Sequence, residues 1–369
     1  MKITAVRSLV VLGPRRAVYG KVYQSALGAN AVSEHGLVFV ETDEGITGLG
    51  EISSVFKRRG KLLCREVDQL LGPALLGEDP FRISYLVQKM DRVLDGSEVA
   101  KAGLEMALFD IVGKVLQTPV YTLLGGRVRD RVPLSFSIPF GEPPEMARFA
   151  KELVAQGYRT VKIKVGMEAH RDLEAVQEVR EAIGPEVHLR VDANMAWRTP
   201  KEAIAMIRAM EPYRLQLVEQ PLHPRDLDGL AFIRQHVSVP IMADESVWSP
   251  RDAMDVIRKG AADIVNVYVS ESGGLLNASR TFAMCEAAGI PCMIGSMPEF
   301  GLGTAACIHL GVAMTNLGLD SDTCGVLYHA EDLLRAPLRI EGGFAYPPTG
   351  PGLGVELNTE VVERWRLKE

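Results

Sequence analysis

Lys162 and Lys164 stand two residues apart in TVKIKVG, so their side chains share one face of an extended segment. A solvated strand edge is the ordinary setting for such a pair, because lysine is rarely buried without a reason. Val161, Ile163 and Val165 occupy the other face and argue against that setting. In a barrel the apolar face of a strand meets the surrounding helices, which turns both lysines toward the axis. An unpaired ammonium there is costly, so the pair needs partners and a task. The same phasing turns Asp192 and Asn194 inward in RVDAN, and Asn266, Tyr268 and Ser270 inward in VNVYVS.

Asp192, Glu219 and Asp244 each end a short apolar strand, and successive members lie 27 and 25 residues apart, one βα repeat each. A single strand-end acid is as often a helix cap or a surface carboxylate. Three in successive repeats converge, and they repel unless protonated or bound to a cation. An all-oxygen ligand set favours Mg2+ over zinc or copper. Beside such a cation the lysines acquire a chemistry. The metal holds a substrate carboxylate and stabilises the enediolate formed when the neighbouring carbon loses a proton, with lysine as the base. Free lysine, with a pKa of about 10.4, is protonated at pH 7 and has to be tuned before it can accept that proton. A second ammonium two residues away disfavours charging. Lys164, nearer the carboxyl end of its strand, is therefore expected as the base, with Lys162 as its electrostatic neighbour and a contact for the substrate carboxylate.

The elements that must position these groups follow from the pattern of the whole chain. Its 369 residues suggest about two domains, or one large barrel with an addition. Hydrophobic content of 47% and charged content of 24% place it among ordinary globular proteins. A net charge of −6 with no basic run long enough to track phosphates speaks against a nucleic-acid partner. Cys64, Cys285, Cys292, Cys307 and Cys324 form no CxxC or Cys/His ligand spacing, so neither a disulfide framework nor a zinc site is indicated, and a reducing cytoplasm is expected. The amino-terminal stretch reads as a strand rather than a signal segment, and no apolar run approaches the roughly 18 residues of a membrane helix.

KITAVRSLVV, LVFVETDEG and ITGLGEIS read as antiparallel strands, and residues 78–95 and 98–117 as helices, which makes the first 125 residues an α+β unit. From about residue 132 short apolar strands alternate with amphipathic helices, the signature of parallel βαβ units. The strands are VPLSFSI, TVKIKV, HLRVDAN, LQLVEQP, PIMADES, DIVNVYVS, PCMIGSM and LGLDSD. Several intervening helices open on Thr-Pro or Ser-Pro and close on Gly. Eight strands in about 200 residues suit a closed (β/α) barrel. An open doubly wound sheet is the alternative, weakened because no GxGxxG follows the first strand. The expected fold class is thus α/β. A capping domain spans 1–125 with a carboxyl-terminal return over 335–369, and the barrel spans 126–334.

With these pieces in order, the sequence resembles the enolase superfamily, and within it the muconate lactonizing enzyme (muconate cycloisomerase / mandelate racemase-like) subgroup. The matching stretches are AGLEMALFDIVGKVLQTPVYTLLGG, then KIK, DAN, EQP, ADES and SESGG. The resemblance implies an α+β capping domain over a modified (β/α)7β barrel of TIM type and Mg2+ held by Asp192, Glu219 and Asp244. It also implies Lys164 as base of the KxK pair, early loops around 15–30 and 50–60 that close over the substrate, and a homo-oligomer.

One departure stands out. The subgroup usually carries a second catalytic lysine on the sixth barrel strand, in a string like NxKxxKxGG, where this chain reads NVYVSESGG and presents Tyr268. Nor does CMIGSMPEFG supply the strand-seven histidine of mandelate racemases. Strands two and six of eight face each other, so Lys164 and Tyr268 are expected on opposite sides of a substrate. Tyrosine can act as a general acid, while substrate packing or a hydrogen bond is an equal claim on Tyr268. One-base chemistry with Lys164 needs no second group.

Asn194, Glu245 and Asn266 are read as polar support around the metal ligands and Glu299 as a supporting or substrate group. Asp320 and Asp322 are candidates for an ammonium-bearing substrate, as acids here are in the dipeptide epimerases of the subgroup, with a helix cap as the competing reading. Arg15, Arg16, Lys57, Arg58 and Arg59 hint at an anionic substrate tail, with a solvated surface as the commoner reading. The expected activity is a Mg2+-dependent isomerase, of cycloisomerase or epimerase type, acting on a small carboxylate substrate. A one-base dehydratase of a hydroxy acid or acid sugar is the alternative among enzymes, and a non-catalytic metal- or ligand-binding barrel is the alternative of another class.

Overall fold

Long alternating segments carry the chain through β1 (Ile3–Pro14), β2 (Val32–Thr42) and β3 (Thr47–Ile52), which pair antiparallel in the order β1-β2-β3. The computed structural model describes residues 1–54 and 59–368; Lys57 and Arg58 lie outside them. Helix α2 (Glu98–Val115) packs on this sheet, and α1 (Ile83–Val93) packs against α2. The approach of α2 to β3 needs glycine on both sides, because a Cβ on Gly50 would lie 1.8 Å from the Gly103 carbonyl oxygen. α2 is buried nearly all round, Lys101, Glu105 and Asp110 included, because it serves two cores. Leu104, Ala107, Leu108 and Ile111 belong to the capping core, and Met106 and Phe109 to the barrel core.

The patterns named above do not mark the helical stretch at Gly60–Glu66, Val67–Leu71 and Gly72–Leu75, whose middle part is a π turn. Its glycines, Pro73 and lack of a side-chain cap at Arg59 remove the usual start signals.

The barrel strands are β4 (Ser135–Ile138), β5 (Thr160–Lys164), β6 (His188–Asp192), β7 (Leu215–Glu219), β8 (Ile241–Ala243), β9 (Ile264–Val267) and β10 (Cys292–Ile294). They form one parallel, curled sheet of seven strands in chain order. The helices between them are α3 (Pro143–Ala155), α4 (Ala169–Ile183), α5 (Pro200–Met210), α6 (Leu227–His236), α7 (Pro250–Lys259) and α8 (Leu275–Ala287), and α9 (Gly301–Ala313) follows β10. Thr199 and Ser249 cap α5 and α7 by accepting from the Glu202 and Asp252 amides, each just ahead of a proline in the first turn.

The expected eighth strand, LGLDSD, is not a regular strand. It makes single parallel bridges, Leu317 with Cys292 and Ser321 with Leu134, which join β10 to the segment leading into β4. Gly318 and the polar residues 320–322 keep the ladder short, and beside these bridges the Asp322 amide donates to the Ile294 carbonyl at 2.9 Å.

The carboxyl-terminal return first pairs Phe344 and Ala345 with Val132 and Pro133, then reaches the capping domain. There α10 (Thr359–Trp365) packs near β1, and the Leu367 amide donates to the Val10 carbonyl at 2.9 Å. Among the described residues no helix is long and apolar enough to cross a membrane, and all five cysteines are buried and free.

Candidate active site

The inward phase of β5 holds. Lys162 and Lys164 are buried, and neither is an unpaired charge. Lys164 Nζ lies 2.5 Å from Asp192 Oδ2. Lys162 Nζ lies 2.7 Å from Glu219 Oε2, 2.5 Å from Asp322 Oδ2 and 3.6 Å from Asp192 Oδ2. Adjacent parallel strands supply these contacts directly, since the register sets Lys164 beside Asp192 and Asp192 beside Glu219.

Asp192, Glu219 and Asp244 meet as the spacing requires, each offering a carboxylate oxygen within 4.8 Å of the others, all three buried. Burial, then Asp192, pushes the Glu219 carboxyl well above its ordinary range, and burial, then Glu245, does the same to Asp244. Burial opposes the Asp192 charge, yet Lys164 and Lys162 hold its pKa below the usual value. Three hard, crowded oxygen donors whose charges are only partly offset fit a divalent cation. Asn194 Oδ1, Glu245 Oε2 and Asn266 Oδ1 are further buried acceptors without a hydrogen-bond partner among the described residues.

One electrostatic expectation is corrected. Lys162 does depress Lys164, but the balance goes the other way. Burial lowers the Lys164 pKa, and Asp192 followed by Tyr23 outweighs it, leaving the ammonium favoured. An opposite charge at 2.5 Å dominates a like charge farther off. Burial likewise opposes the Lys162 charge, and Asp322, Glu219, Asp192 and Asp244 together hold it well above the ordinary lysine value.

The strand ends are held in uncommon conformations. Asn194, Met195 and Gln220 have φ of 41°, 67° and 35°, within three residues after Asp192 and directly after Glu219. Gln220, which the sequence reading gave no role, ties β7 to the end of β8: its Oε1 accepts from the Asp244 amide at 2.9 Å and its Nε2 donates to Ser246 Oγ at 2.8 Å. Its only sequence signal is its place after Glu219 in EQP. Asn194 donates to Glu245 Oε1 at 3.0 Å. Asn266 donates toward Glu219 Oε1 at 3.4 Å and the Tyr268 hydroxyl at 3.3 Å, and that hydroxyl donates to Asp244 Oδ2 at 3.0 Å.

A cavity of about 450 Å³ opens over this floor, lined by Lys162, Lys164, Asp192, Asp244, Tyr268 and Asp322 below, with Met195, Trp248 and Met297 among its walls. The first capping loop contributes Tyr23 and Leu27, and the second Ser54 and Arg59. Tyr23 reaches Ser137 Oγ at 3.2 Å, a contact between distant segments with no sequence signal.

Asp322 lies in the cavity floor with its oxygens engaged by Ser135 and Lys162. Asp320 does not join it: its carboxylate accepts from Thr160 Oγ1 at 2.7 Å, at the opening of β5, away from the cavity. Glu299 lies behind the wall, accepting from Ser296 Oγ at 2.5 Å and the Met297 amide at 2.8 Å. Arg15 is not a solvated surface residue: it is buried, with its guanidinium 4.7 Å from the Tyr23 ring centroid. Arg16 is exposed, and Arg59 is exposed at the cavity edge.

Two buried acids of the capping domain set the turns above the site. Glu105 on α2 accepts from the Leu275 and Leu276 amides at 2.6 and 2.8 Å, at the start of α8. Glu51 on β3 accepts from the Phe300 and Gly303 amides at 2.8 and 2.7 Å, at the start of α9. Carboxylates at helix amino termini are favoured by the free N–H groups and the dipole there.

Comparison with known proteins agrees with this arrangement. Residues 145–361 match the family described as enolase C-terminal domain-like, and residues 15–125 match the N-terminal domain of the mandelate racemase / muconate lactonizing enzyme family. A hydrophobic dipeptide epimerase of Enterococcus faecalis is 38% identical over 300 residues, 80% of this chain and 84% of that protein. The structure of a muconate lactonizing enzyme from Pseudomonas fluorescens with muconolactone superposes with a TM-score of 0.94 at 30% identity, covering 99% of each chain. That of the E. faecalis dipeptide epimerase with Mg and L-Leu-L-Tyr superposes at 0.88 with 33% identity, covering 96% of this chain and 99% of the other. With both domains matched, the chain belongs to the muconate lactonizing enzyme subgroup of the enolase superfamily and is an isomerase of that group.

Proposed function

We propose that this isomerase is Mg2+-dependent and that Lys164 removes the proton α to the carboxylate of a small organic acid. The observation that carries the reading is the direct contact of the KxK lysines with the acid cluster: Lys164 on Asp192 at 2.5 Å and Lys162 on Glu219 at 2.7 Å, in the floor of one cavity. The dipeptide epimerase solved with Mg supports the cation, and its dipeptide supports a small carboxylate as substrate class.

Asp192, Glu219 and Asp244 would hold the ion, which when bound supplies the positive charge that stabilises the substrate carboxylate as its α-proton leaves. The remaining work belongs to this chain. Lys162, kept charged by its acidic neighbours, offers an ammonium to the carboxylate. Lys164 sheds its proton and accepts the one from the α-carbon at Nζ. Tyr23, Trp248 and Met297 line the cavity in which the substrate would sit. A dehydratase is the second reading, favoured by Tyr268 in place of a second lysine.

Incubation with Mg2+ in deuterated water tests both readings, using dipeptides, N-succinyl amino acids, muconate and hydroxy acids. Deuterium at the α-carbon that depends on Lys164 supports the isomerase, and loss of water supports the dehydratase. No magnesium uptake by calorimetry, or exchange that survives Lys164→Ala unchanged, overturns the proposal.

A further inference from the structure

We propose that Tyr268 is a positioning residue of the cation site, its hydroxyl orienting Asp244 rather than passing a proton to substrate. The inference rests on the reading of Asp192, Glu219 and Asp244 as cation ligands.

Hydrogen-bond polarity is the first argument. Asn266 places its amide nitrogen 3.4 Å from Glu219 Oε1 and 3.3 Å from the Tyr268 oxygen. As cation ligands Glu219 and Asp244 are ionised and only accept, so the amide nitrogen faces Glu219 and the same group donates to the phenol oxygen. The phenol has a single hydrogen, and its other partner is Asp244 Oδ2 at 3.0 Å. That hydrogen is therefore committed to Asp244.

The ring is fixed as well. A Cβ on Gly295 would lie 2.3 Å from Tyr268 Cζ and 2.6 and 2.7 Å from its two Cε atoms, so the phenol end of the ring rests directly on the backbone past β10. Close packing of this kind leaves the ring no free volume on that side.

The third argument is a division of labour among the acids. Asp192 has Lys164, and Glu219 has Lys162 and Asn266. Among the described residues no cationic side chain forms an ion pair with Asp244, and Tyr268 supplies its donor. Ligating carboxylates are commonly held by such outer hydrogen bonds, whose loss weakens metal affinity by about 10- to 100-fold. With its hydroxyl so engaged, Tyr268 supplies no acid on the face opposite Lys164, and proton traffic runs through Lys164 alone.

Titration of chelator-treated protein with MgCl2 by isothermal calorimetry tests this. Tyr268→Phe is expected to bind Mg2+ about 10- to 100-fold more weakly than wild type, with an unchanged far-UV circular dichroism spectrum and metal-free melting temperature. Equal affinity in the two proteins overturns the Tyr268 assignment alone; failure of the wild type to bind Mg2+ overturns the underlying reading and the assignment with it. Should the variant not fold, a crystal structure of Mg2+-loaded wild type decides. A Tyr268 oxygen within about 3.2 Å of Asp244 supports the assignment, and a hydroxyl turned into the cavity overturns it.

Discussion

Lys162 Nζ lies 2.5 Å from Asp322 Oδ2, a buried ion pair between β5 and the bridging segment that closes the barrel. After the opposing effect of burial, Asp322 is the largest influence on the Lys162 charge. The acid that sequence reasoning offered to a substrate ammonium is thus already engaged. Removing one partner of a buried pair leaves the other charge poorly compensated, although Glu219 still reaches Lys162 at 2.7 Å. Asp322→Asn is expected to lower unfolding free energy by about 3 kcal/mol. An unchanged urea midpoint would show that the pair contributes nothing.

Lys164 has to be neutral before it can take a proton, and Asp192 holds it charged against the effect of burial. With the Mg2+ enzyme and an active substrate, α-deuterium exchange should climb with pH on the alkaline side as Lys164 is released. Lys164→Ala should lower it by about 100-fold or more. A rate that falls between pH 7 and pH 9 contradicts the assignment of this residue as base.

Magnesium uptake should depend on pH. Burial and acidic neighbours make Glu219 and Asp244 hold protons more tightly than ordinary carboxyls, so a cation competes with protons for them. Affinity should weaken from pH 8 to pH 6, with proton release on binding. Calorimetry in two buffers of different ionisation enthalpy measures that release, and equal heats in both would contradict it.

Glu105 links the capping domain to the start of α8, and burial pushes its carboxyl from an ordinary 4.5 up to about 8. The folded state therefore holds this proton more tightly than the unfolded chain. The stability it contributes is complete below pH 4.5 and is lost as pH rises through about 8. Glu105→Gln cannot titrate, so its stability relative to wild type should improve between pH 5 and pH 9. Glu245 and Glu299, also raised by burial, change both proteins alike and cancel in the difference. Urea denaturation in chelator at three pH values checks the trend, and a constant or declining difference rejects it.

Local pattern made much of this molecule legible. Period-two alternation at residues 161–165 turned Lys162 and Lys164 inward, and one acid per βα repeat located Asp192, Glu219 and Asp244. The same logic failed where pattern was thin. LGLDSD has only Leu317 and Leu319 as an apolar face and forms isolated bridges rather than a ladder, and the helical stretch at 60–75 lacks a side-chain cap at its start. Asp320 and Asp322 look equivalent in sequence, yet only Asp322 enters the cavity.

The sequence by itself determined which residue types reach the barrel axis and in what order, because strand phase and repeat length are properties of neighbours along the chain. Tertiary structure alone decided the partners: Asp322 on Lys162, Tyr268 on Asp244, Tyr23 over the cavity, and Glu105 and Glu51 beneath two helix ends. It also decided the charge balance, since a single Asp192 oxygen at 2.5 Å outweighs Lys162 in setting Lys164. Electrostatic energy and hydrogen bonding depend on distance and burial between segments far apart in the chain, and neither can be read from spacing.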